Sequence, residues 1–423
     1  MIPHAHPYQV DGEVGRFTFT THALRQGETP TYLTSRWWFP PLQAKEWYRT
    51  RGFKELALVH GVVENSYRKT TALINRIRHQ EEATPVRTLC DTSEVEGHQL
   101  MVQIERQADR LLQEHHFTQE GVPAEAGDWG QESARLADQR VATALAEGPV
   151  PTDWKAERGA NPVAYEAPAS QVYVAIDAVG VKEQKGQRDR ESPPQRGRKH
   201  PKQYVHTTVA KVEHDEGSYI VVHAHTVGLL RLLVAFLLHN GLGQQGLVFL
   251  LDGQRSLQAA ILRAFAWWPS VQLILDWYHL EKKSQELLSL AMKGREQRNA
   301  TLAELRPLLW QGLTDRAIRY LQQLDPETIK LEEARQQLIA YLERSKPYLP
   351  CYAIRQSLGL PNSSNRAEKA NDLVVAQRQK HNGMSWSPEG SVALAALTAL
   401  IRNQQQDAWF KKKTLIMKLS RAA

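Results

Sequence analysis

The chain has 423 residues and a mass of 48.1 kDa, enough for about two to four domains. Its hydrophobic content of 42% excludes global disorder, and two cysteines exclude both a disulfide framework and a four-cysteine zinc site. The net charge of +7 is compatible with a polyanionic partner. The longest apolar run, Leu229–Leu238, is too short to span a bilayer, and no signal-peptide core opens the chain. We therefore expect a cytoplasmic protein without a membrane partner.

The N-terminal third contains a candidate DNA-binding region. Residues 1–42 mix glycine, proline and aromatic residues without a period, which predicts an N-terminal arm, either extended or a small β element. In residues 43–85 we expect a helix, a tight turn at Gly61 and a second helix with a basic face. This order is typical of a helix-turn-helix whose second helix enters the major groove, although an ordinary helical hairpin has the same pattern. The candidate DNA contacts are Arg68, Lys69, Asn75, Arg76 and Arg78.

The rest of the chain predicts a connector followed by an α/β region. Residues 86–168 form a helical connector, with two amphipathic helices interrupted by glycine and proline. After it, three hairpin-like strands precede alternating strands and helices, which predicts a mixed α/β sheet. Residues 281–360 have helical patterns, two more helices follow within 361–405, and residues 406–423 form a basic tail.

Several acidic residues stand where the predicted strands end. Asp177, Asp252 and Asp276 each follow an apolar strand, and ligands of open α/β sheets bind at such ends. Converging carboxylates can hold two divalent cations, and Glu368 on a later helix would add a third group. Taken singly, each acid could instead be a turn residue or a helix N-cap. His279 follows Asp276 by three residues, so it either orients the site or only pairs with a capping aspartate.

These segments together resemble a known enzyme family. VAIDAVG with Asp177, FLLDGQRSL with Asp252, LDWYHLEK, and NRAEKANDLVVAQRQKHNGMSWSPEG follow one another over residues 170–405. Their order is similar to that of DDE transposases of prokaryotic insertion sequences, in the Mutator-like group with a Cys/Asp-x-x-His motif. In one departure, Ala178 follows the first aspartate, where family members often have glycine.

The resemblance implies a fold and a set of site residues. The fold is α/β: an RNase H-like mixed sheet with a helical insertion at 281–360 that divides the catalytic core into two parts, 169–280 and 361–405, preceded by an all-α helix-turn-helix region. Asp177, Asp252 and Glu368 match the catalytic, metal-binding triad, which takes two Mg²⁺ or Mn²⁺ ions, and Asp276 and His279 match the auxiliary motif. The last acid could also be a neighbour, and the alternatives are Asp372 and Glu389.

The implied activity is metal-dependent DNA strand cleavage and strand transfer. The partners would be transposon terminal inverted repeats and target DNA, bound by a homodimer or higher oligomer near the nucleoid of a prokaryote. The segment 182–202 has eight Lys and Arg against three Asp and Glu, which favours phosphate binding. Its candidate contacts are Arg196, Arg198 and Lys199. Trp267, Trp268 and Trp277 could stack on an unpaired base or pack in the core.

Two other functions remain open from the sequence. One is a non-catalytic helix-turn-helix DNA-binding protein derived from a transposase. The other is an RNase H-like nuclease that cuts DNA without strand transfer. The reaction products separate them, because only a transposase joins the cut ends to a target.

Overall fold

A computed structural model describes most of the chain. The described residues are 4–26, 29–32, 48–64, 66–79, 84–130, 138–147, 165, 167–184, 203–215, 217–380 and 384–421. The chain divides into two compact units. The first contains Met1–Arg106, Gly180–Thr207 and Asp372–Ile416, and the second contains Gln107–Val179, Thr208–Asn371 and Met417–Ala423.

The first unit opens with a small β-sheet. Its strand order is β3-β2-β1-β4, antiparallel except for the short parallel pairing of β1 with β4. Of the two structures expected for the N-terminal arm, the described residues therefore show the β element. The strands are β1 (His4–Gly12), β2 (Gly15–Gln26), β3 (Thr29–Tyr32) and β4 (Tyr48–Arg49).

Three helices follow: α1 (Arg51–Val63), α2 (Tyr67–Ile77) and α3 (Val86–Glu114). Thr50 caps α1 by accepting the N–H of Phe53 at 3.1 Å, and Ser66 caps α2 in the same way. The turn expected at Gly61 is wrong. Gly61 lies inside α1 on its buried face, and the chain turns between Val63 and Ser66. The helix continues past the glycine because its apolar face is buried throughout.

The second unit contains a mixed sheet, as the strand patterns predict. Its order is β10-β7-β6-β5-β8-β9. The β6–β7 and β7–β10 pairs are antiparallel, whereas β5–β8 and β8–β9 are parallel. Every residue of β8 is buried, as expected for an inner parallel strand. The strands are β5 (Gln171–Lys182), β6 (Tyr204–His214), β7 (Gly217–His223), β8 (Gly246–Leu251), β9 (Val271–Leu275) and β10 (Ser420–Arg421).

Helices connect and follow these strands. The expected helical character of residues 281–348 is confirmed. The last described helix of this unit continues into a π-helical segment, Asp372–Ala376, and a short α-helical segment, Gln377–Gln379. The helices of this unit are α4 (Asp138–Glu147), α5 (Thr226–His239), α6 (Arg255–Ala264), α7 (Trp277–Ala291), α8 (Arg295–Trp310), α9 (Thr314–Gln322), α10 (Glu332–Ser345), α11 (Tyr352–Ser357) and α12 (Asn365–Asn371). Two later helices, α13 (Pro388–Arg402) and α14 (Gln406–Lys412), belong to the first unit.

Each unit has its own apolar core. In the first, α1 packs on α3, α13 and α14 through buried residues that include Leu58, Leu100, Leu397 and Trp409. Gly97 allows α3 to approach α13 closely, because a Cβ there would lie 2.6 Å from the Cβ of Ala393.

In the second unit, helices α7 to α11 form one cluster with β8 and β9. Because the same cluster buries residues of these two strands, it fixes the helices against the part of the sheet where the strands end. Among the described residues, we find no helix with the length and apolar character needed to cross a membrane.

Candidate functional site

Three aspartates occupy one row across three neighbouring strands. In the parallel pairings, Ala175 is opposite Leu250 and Leu251 is opposite Leu275. Two residues further along β5 and β8, this register places Asp177 opposite Asp252. One residue further along β8 and β9, it places Asp252 opposite Asp276, so the three aspartates follow one another in the same row. The strands thus bring together the three acids that the sequence singles out.

The expectation that Asp177 ends its strand is wrong. Strand β5 continues beyond it to Lys182, and only its pairing with β8 ends earlier, at Ala175. By contrast, Asp252 and Asp276 directly follow the last residues of β8 and β9, as expected.

Asp177 is a partly buried carboxylate that accepts two hydrogen bonds. Its Oδ1 accepts the N–H of Ala178 at 2.7 Å, and its Oδ2 accepts the Nδ2–H of Asn371 at 2.6 Å. Burial raises the pKa of Asp177 above its ordinary value, the two hydrogen bonds oppose this, and the charge of Asp252 adds to it. Because the carboxylates of Asp177 and Asp252 repel each other in a partly buried place, each makes ionisation of the other less favourable. A bound cation would offset this repulsion.

Asp276 is fully buried and held by four hydrogen bonds. Its Oδ1 accepts the backbone N–H of His279 at 3.0 Å and lies 3.3 Å from the ring Nδ1 of His279. Its Oδ2 accepts both the backbone N–H and, at 2.9 Å, the hydroxyl of Ser364. Burial raises the pKa of Asp276, but the hydrogen bonds from His279 and Ser364 outweigh it, and the pKa is lowered. Asp276 therefore caps α7 and also holds the imidazole of His279.

His279 joins this pair to Glu368. Its Nε2 lies 3.6 Å from Oε1 of Glu368, so the ring lies between two carboxylates. The hydrogen bond with Asp276 raises the pKa of His279, burial opposes it, and the charges of Asp276, Glu368 and Asp252 add to the increase. These distances place the His279 ring beside Asp276, which follows β9, and beside Glu368 on α12.

Asn371 is a site residue that the sequence interpretation missed. It lies on α12 one turn after Glu368, and its side chain is only 4% exposed. Its Nδ2 holds Asp177, whereas its Oδ1 is buried and has no hydrogen-bond partner within the described part of the chain. A spacing of three residues on one helix was the signal that could have identified it.

Tyr341 on α10 is a second residue that the sequence did not indicate. Its hydroxyl lies 3.5 Å from the position that a Cβ on Gly253 would take, directly after Asp252. Gly253 has a φ of +89°, which glycine adopts without strain. Burial raises the pKa of Tyr341 to about 12, and the charges of Asp252 and Asp276 contribute. The phenol is therefore a neutral hydroxyl beside the strand ends.

The donors suit a hard divalent cation in type. Carboxylates and an amide oxygen without a partner are ligands that Mg²⁺ and Mn²⁺ favour. In the arrangement described, however, no three His, Cys, Asp or Glu side chains among the described residues lie close enough to hold an ion. Holding an ion would thus require the carboxylates to draw together, and Glu368 is exposed.

The two alternatives for the last acid are also placed. Asp372 is exposed at the start of the π-helical segment, and Glu389 is exposed in the first turn of α13. Both belong to the first unit. Glu368, which belongs to the same unit as the three aspartates, is the acid whose contact with His279 is described.

The predicted DNA contacts on α2 separate into two groups. Arg68, Lys69 and Arg76 are exposed. The guanidinium of Arg78 is buried and bonds Asp11 at 3.2 Å and Thr84 at 2.6 Å, so we leave it out of the proposed surface.

The remaining predicted contacts divide similarly. Asn75 accepts the N–H of Thr84 at 2.9 Å and is also engaged internally. Arg196, Arg198 and Lys199 lie outside the described residues.

The three tryptophans also differ in position. Trp268 is buried and its Nε1–H donates to the carbonyl of Gln245, while Trp267 packs edge-on against Phe117. Trp267 is partly buried within this aromatic cluster. Trp277 is also partly buried: it packs against the core of helices α7 to α11 and lines a cavity.

Comparisons with known proteins add little. No family model matches the chain, and no curated protein matches it. Among solved structures, the chain is similar to the Drosophila P element transposase strand transfer complex, at 11% sequence identity and a TM-score of 0.25. That match covers 90% of this chain and 84% of the other. A TM-score of this size does not establish a common fold.

Proposed function

We propose that this protein is a DDE transposase, an enzyme that binds transposon ends and catalyses metal-dependent cleavage and transfer of DNA strands. The observation that carries the proposal is the row formed by Asp177, Asp252 and Asp276, to which α12 brings Glu368 and Asn371. The mixed antiparallel and parallel sheet, with helices α7 to α11 before Glu368, is consistent with an RNase H-like core and a helical insertion.

Under this proposal, Asp177, Asp252 and Glu368 hold two Mg²⁺ or Mn²⁺ ions, with the Oδ1 of Asn371 as a further oxygen donor. Bound there, the ions would activate a water or a 3′-hydroxyl for in-line attack and stabilise the leaving oxygen.

The chain's other residues orient the ligands. Asn371 fixes the Oδ2 of Asp177, and Asp276 keeps His279 turned towards Glu368. Protonated His279 donates to Glu368 or to a phosphate oxygen beside it. No covalent protein nucleophile is needed.

DNA binding is assigned to the exposed basic side of α2, with Arg68, Lys69 and Arg76 as phosphate or base contacts, in a helix-turn-helix formed by α1 and α2. The terminal inverted repeats and the target would bind to a homodimer or higher oligomer on DNA.

The full chain tests the proposal with supercoiled plasmid DNA and Mg²⁺. We expect nicking and joined products from the wild type, and none in EDTA. Asp177→Asn and Asp252→Asn should each reduce the rate by more than about 100-fold, beyond the 10- to 100-fold typical of losing a residue that only orients a ligand. Asp315→Asn is the matched control, since Asp315 is an exposed acid paired with Lys346 on the insertion.

Cleavage at the wild-type rate by folded Asp177→Asn protein would contradict the proposal. Cut ends without joined products would instead indicate a nuclease without strand transfer. DNA binding without any cleavage would support a non-catalytic protein.

A further inference from the structure

An aromatic cavity lies beside the proposed site, and the function proposed above does not use it. It has a volume of about 380 Å³, near the lower end of the roughly 300–1,000 Å³ of ligand pockets. It opens beside the first turn of α7, and its lining residues are Trp277, Tyr278, Trp310, Gln356, Leu360, Asn362 and Ser363.

The cavity has an aromatic wall that the core holds in place. Trp277 meets Trp310 edge to face at a centroid distance of 4.7 Å, and both rings pack on buried Tyr352. Tyr352 is fixed in turn, because its hydroxyl donates to the carbonyl of Leu275 at the end of β9. Tyr278 is 52% exposed at the mouth. Rigid aromatic faces of this kind bind planar ring systems by stacking.

The lining also contains amide groups. The Nδ2–H of Asn362 donates to the carbonyl of Tyr352 at 2.7 Å, which fixes the amide. Its Oδ1 is buried and accepts no hydrogen bond from the described residues. Gln356 adds an exposed amide at the rim. An exposed amide at this position can both donate to and accept from the edge of a bound ring.

The cavity is tied to the site through the backbone. Trp277 and Tyr278 are the two residues between Asp276 and His279, and the N–H of Trp277 donates to the carbonyl of Asn362 at 3.2 Å. Ser363, in the lining, precedes Ser364, which holds Asp276. A group that fills the cavity would therefore lie next to the strand ends.

We infer that this cavity binds one unpaired nucleobase of a DNA strand held at the site. The inference rests on the proposed function. An aromatic wall for the ring face, together with amides for the ring edge, is the combination that recognises a base taken out of its stack. The exposed amide of Gln356, in the same lining, is the group that can pair with an N–H or a carbonyl at the edge of the base.

The test compares two duplexes that differ in one base, bound by the full chain in EDTA so that no cleavage is needed. One duplex has a single bulged thymidine and the other has an abasic site in the same bulge. We expect the wild type to bind the thymidine bulge roughly 5- to 100-fold more tightly, which corresponds to the free energy of stacking one base. Photocrosslinking of a 5-iodouracil bulge should label the peptides that contain Trp277, Tyr278 or Trp310.

Two pocket variants and one matched variant separate the outcomes. Tyr278→Ala and Gln356→Ala should each reduce the preference for the base, whereas Gln285→Ala, an exposed glutamine elsewhere on α7, should retain it. Equal binding of both duplexes by the wild type, or a crosslink elsewhere, would overturn the inference while leaving DNA binding intact. Failure to bind either duplex would overturn the proposed function as well.

Discussion

At the scale of a single residue, His279 shows how neighbouring carboxylates favour the protonated form of a histidine. Its imidazole lies between Asp276 and Glu368, and its pKa is raised mainly by the hydrogen bond with Asp276. A folded-state pKa above the ordinary 6.5 means that folding is favoured by protonation. This contribution to stability is fully present below the pKa of the unfolded chain and is lost as pH rises through the folded-state pKa.

We therefore predict a pH-dependent stability difference between the wild type and His279→Gln in EDTA. The wild type should melt at the higher temperature at about pH 6, and the difference should shrink as pH rises above 6.5 and through the folded-state pKa. Thermal unfolding measured by circular dichroism across this range checks it.

His115→Gln is the control, because His115 is exposed on the turn after α3. A melting difference for His279→Gln that stays constant with pH would show that the ion pair does not form.

At the scale of an element, two arginines at the end of α2 are expected to have different roles, one in DNA binding and the other in stability. Arg76 is exposed, whereas Arg78, two residues further along the chain, is buried against Asp11. We predict that Arg76→Ala weakens binding to duplex DNA and lowers the slope of log K against log salt by about 0.9, the value for one phosphate contact. Arg78→Ala should instead lower the free energy of unfolding by roughly 1–3 kcal/mol, because it removes a buried hydrogen-bonding partner of Asp11.

Fluorescence anisotropy at several salt concentrations, together with urea unfolding, distinguishes these two effects. Arg87→Ala on α3 serves as the control for a surface arginine, since Arg87 is highly exposed and pairs with Asp91. An unchanged salt slope for Arg76→Ala would remove this residue from the DNA surface.

The helices between β9 and Glu368 do more than separate the sheet from α12. Helix α10 carries Tyr341, whose hydroxyl is held next to Gly253 and the end of β8. Helices α8 and α11 supply Trp310 and Gln356 to the aromatic cavity. This insertion therefore contributes side chains to the proposed site, although its sequence shows only helical periodicity.

At the scale of the whole molecule, the N-terminal helices share their core with distant segments. Leu58 on α1 is buried in one cluster with Leu100, Leu397 and Trp409. We predict that Leu58→Ala lowers the free energy of unfolding by about 2–5 kcal/mol. Deletion of residues 1–85 should likewise lower the melting temperature and increase binding of a hydrophobic dye, because it uncovers this cluster.

Val63→Ala is the matched control, since Val63 is 68% exposed at the end of the same helix. A truncated protein that melts like the full chain would show that residues 43–85 are an independent domain, as the sequence boundary suggests.

The sequence by itself determined the local structure and the identity of the main acids. Period-two and continuous apolar runs predicted the strands of the mixed sheet, and Asp252, Asp276 and His279 were assigned from their position after such strands. The strand predictions succeed because backbone periodicity depends on neighbouring residues. The prediction of a turn at Gly61 was wrong because burial of a helix face outweighed the local preference of one glycine.

Only the tertiary structure decided which side chains meet. The contacts of Asn371 with Asp177, of Ser364 with Asp276 and of His279 with Glu368 join residues that are 88 to 194 positions apart. The burial of Arg78 against Asp11 is of the same kind. Strand register and packing set these distances, and neither leaves a local pattern in the sequence, because each depends on how separate elements are placed in the fold.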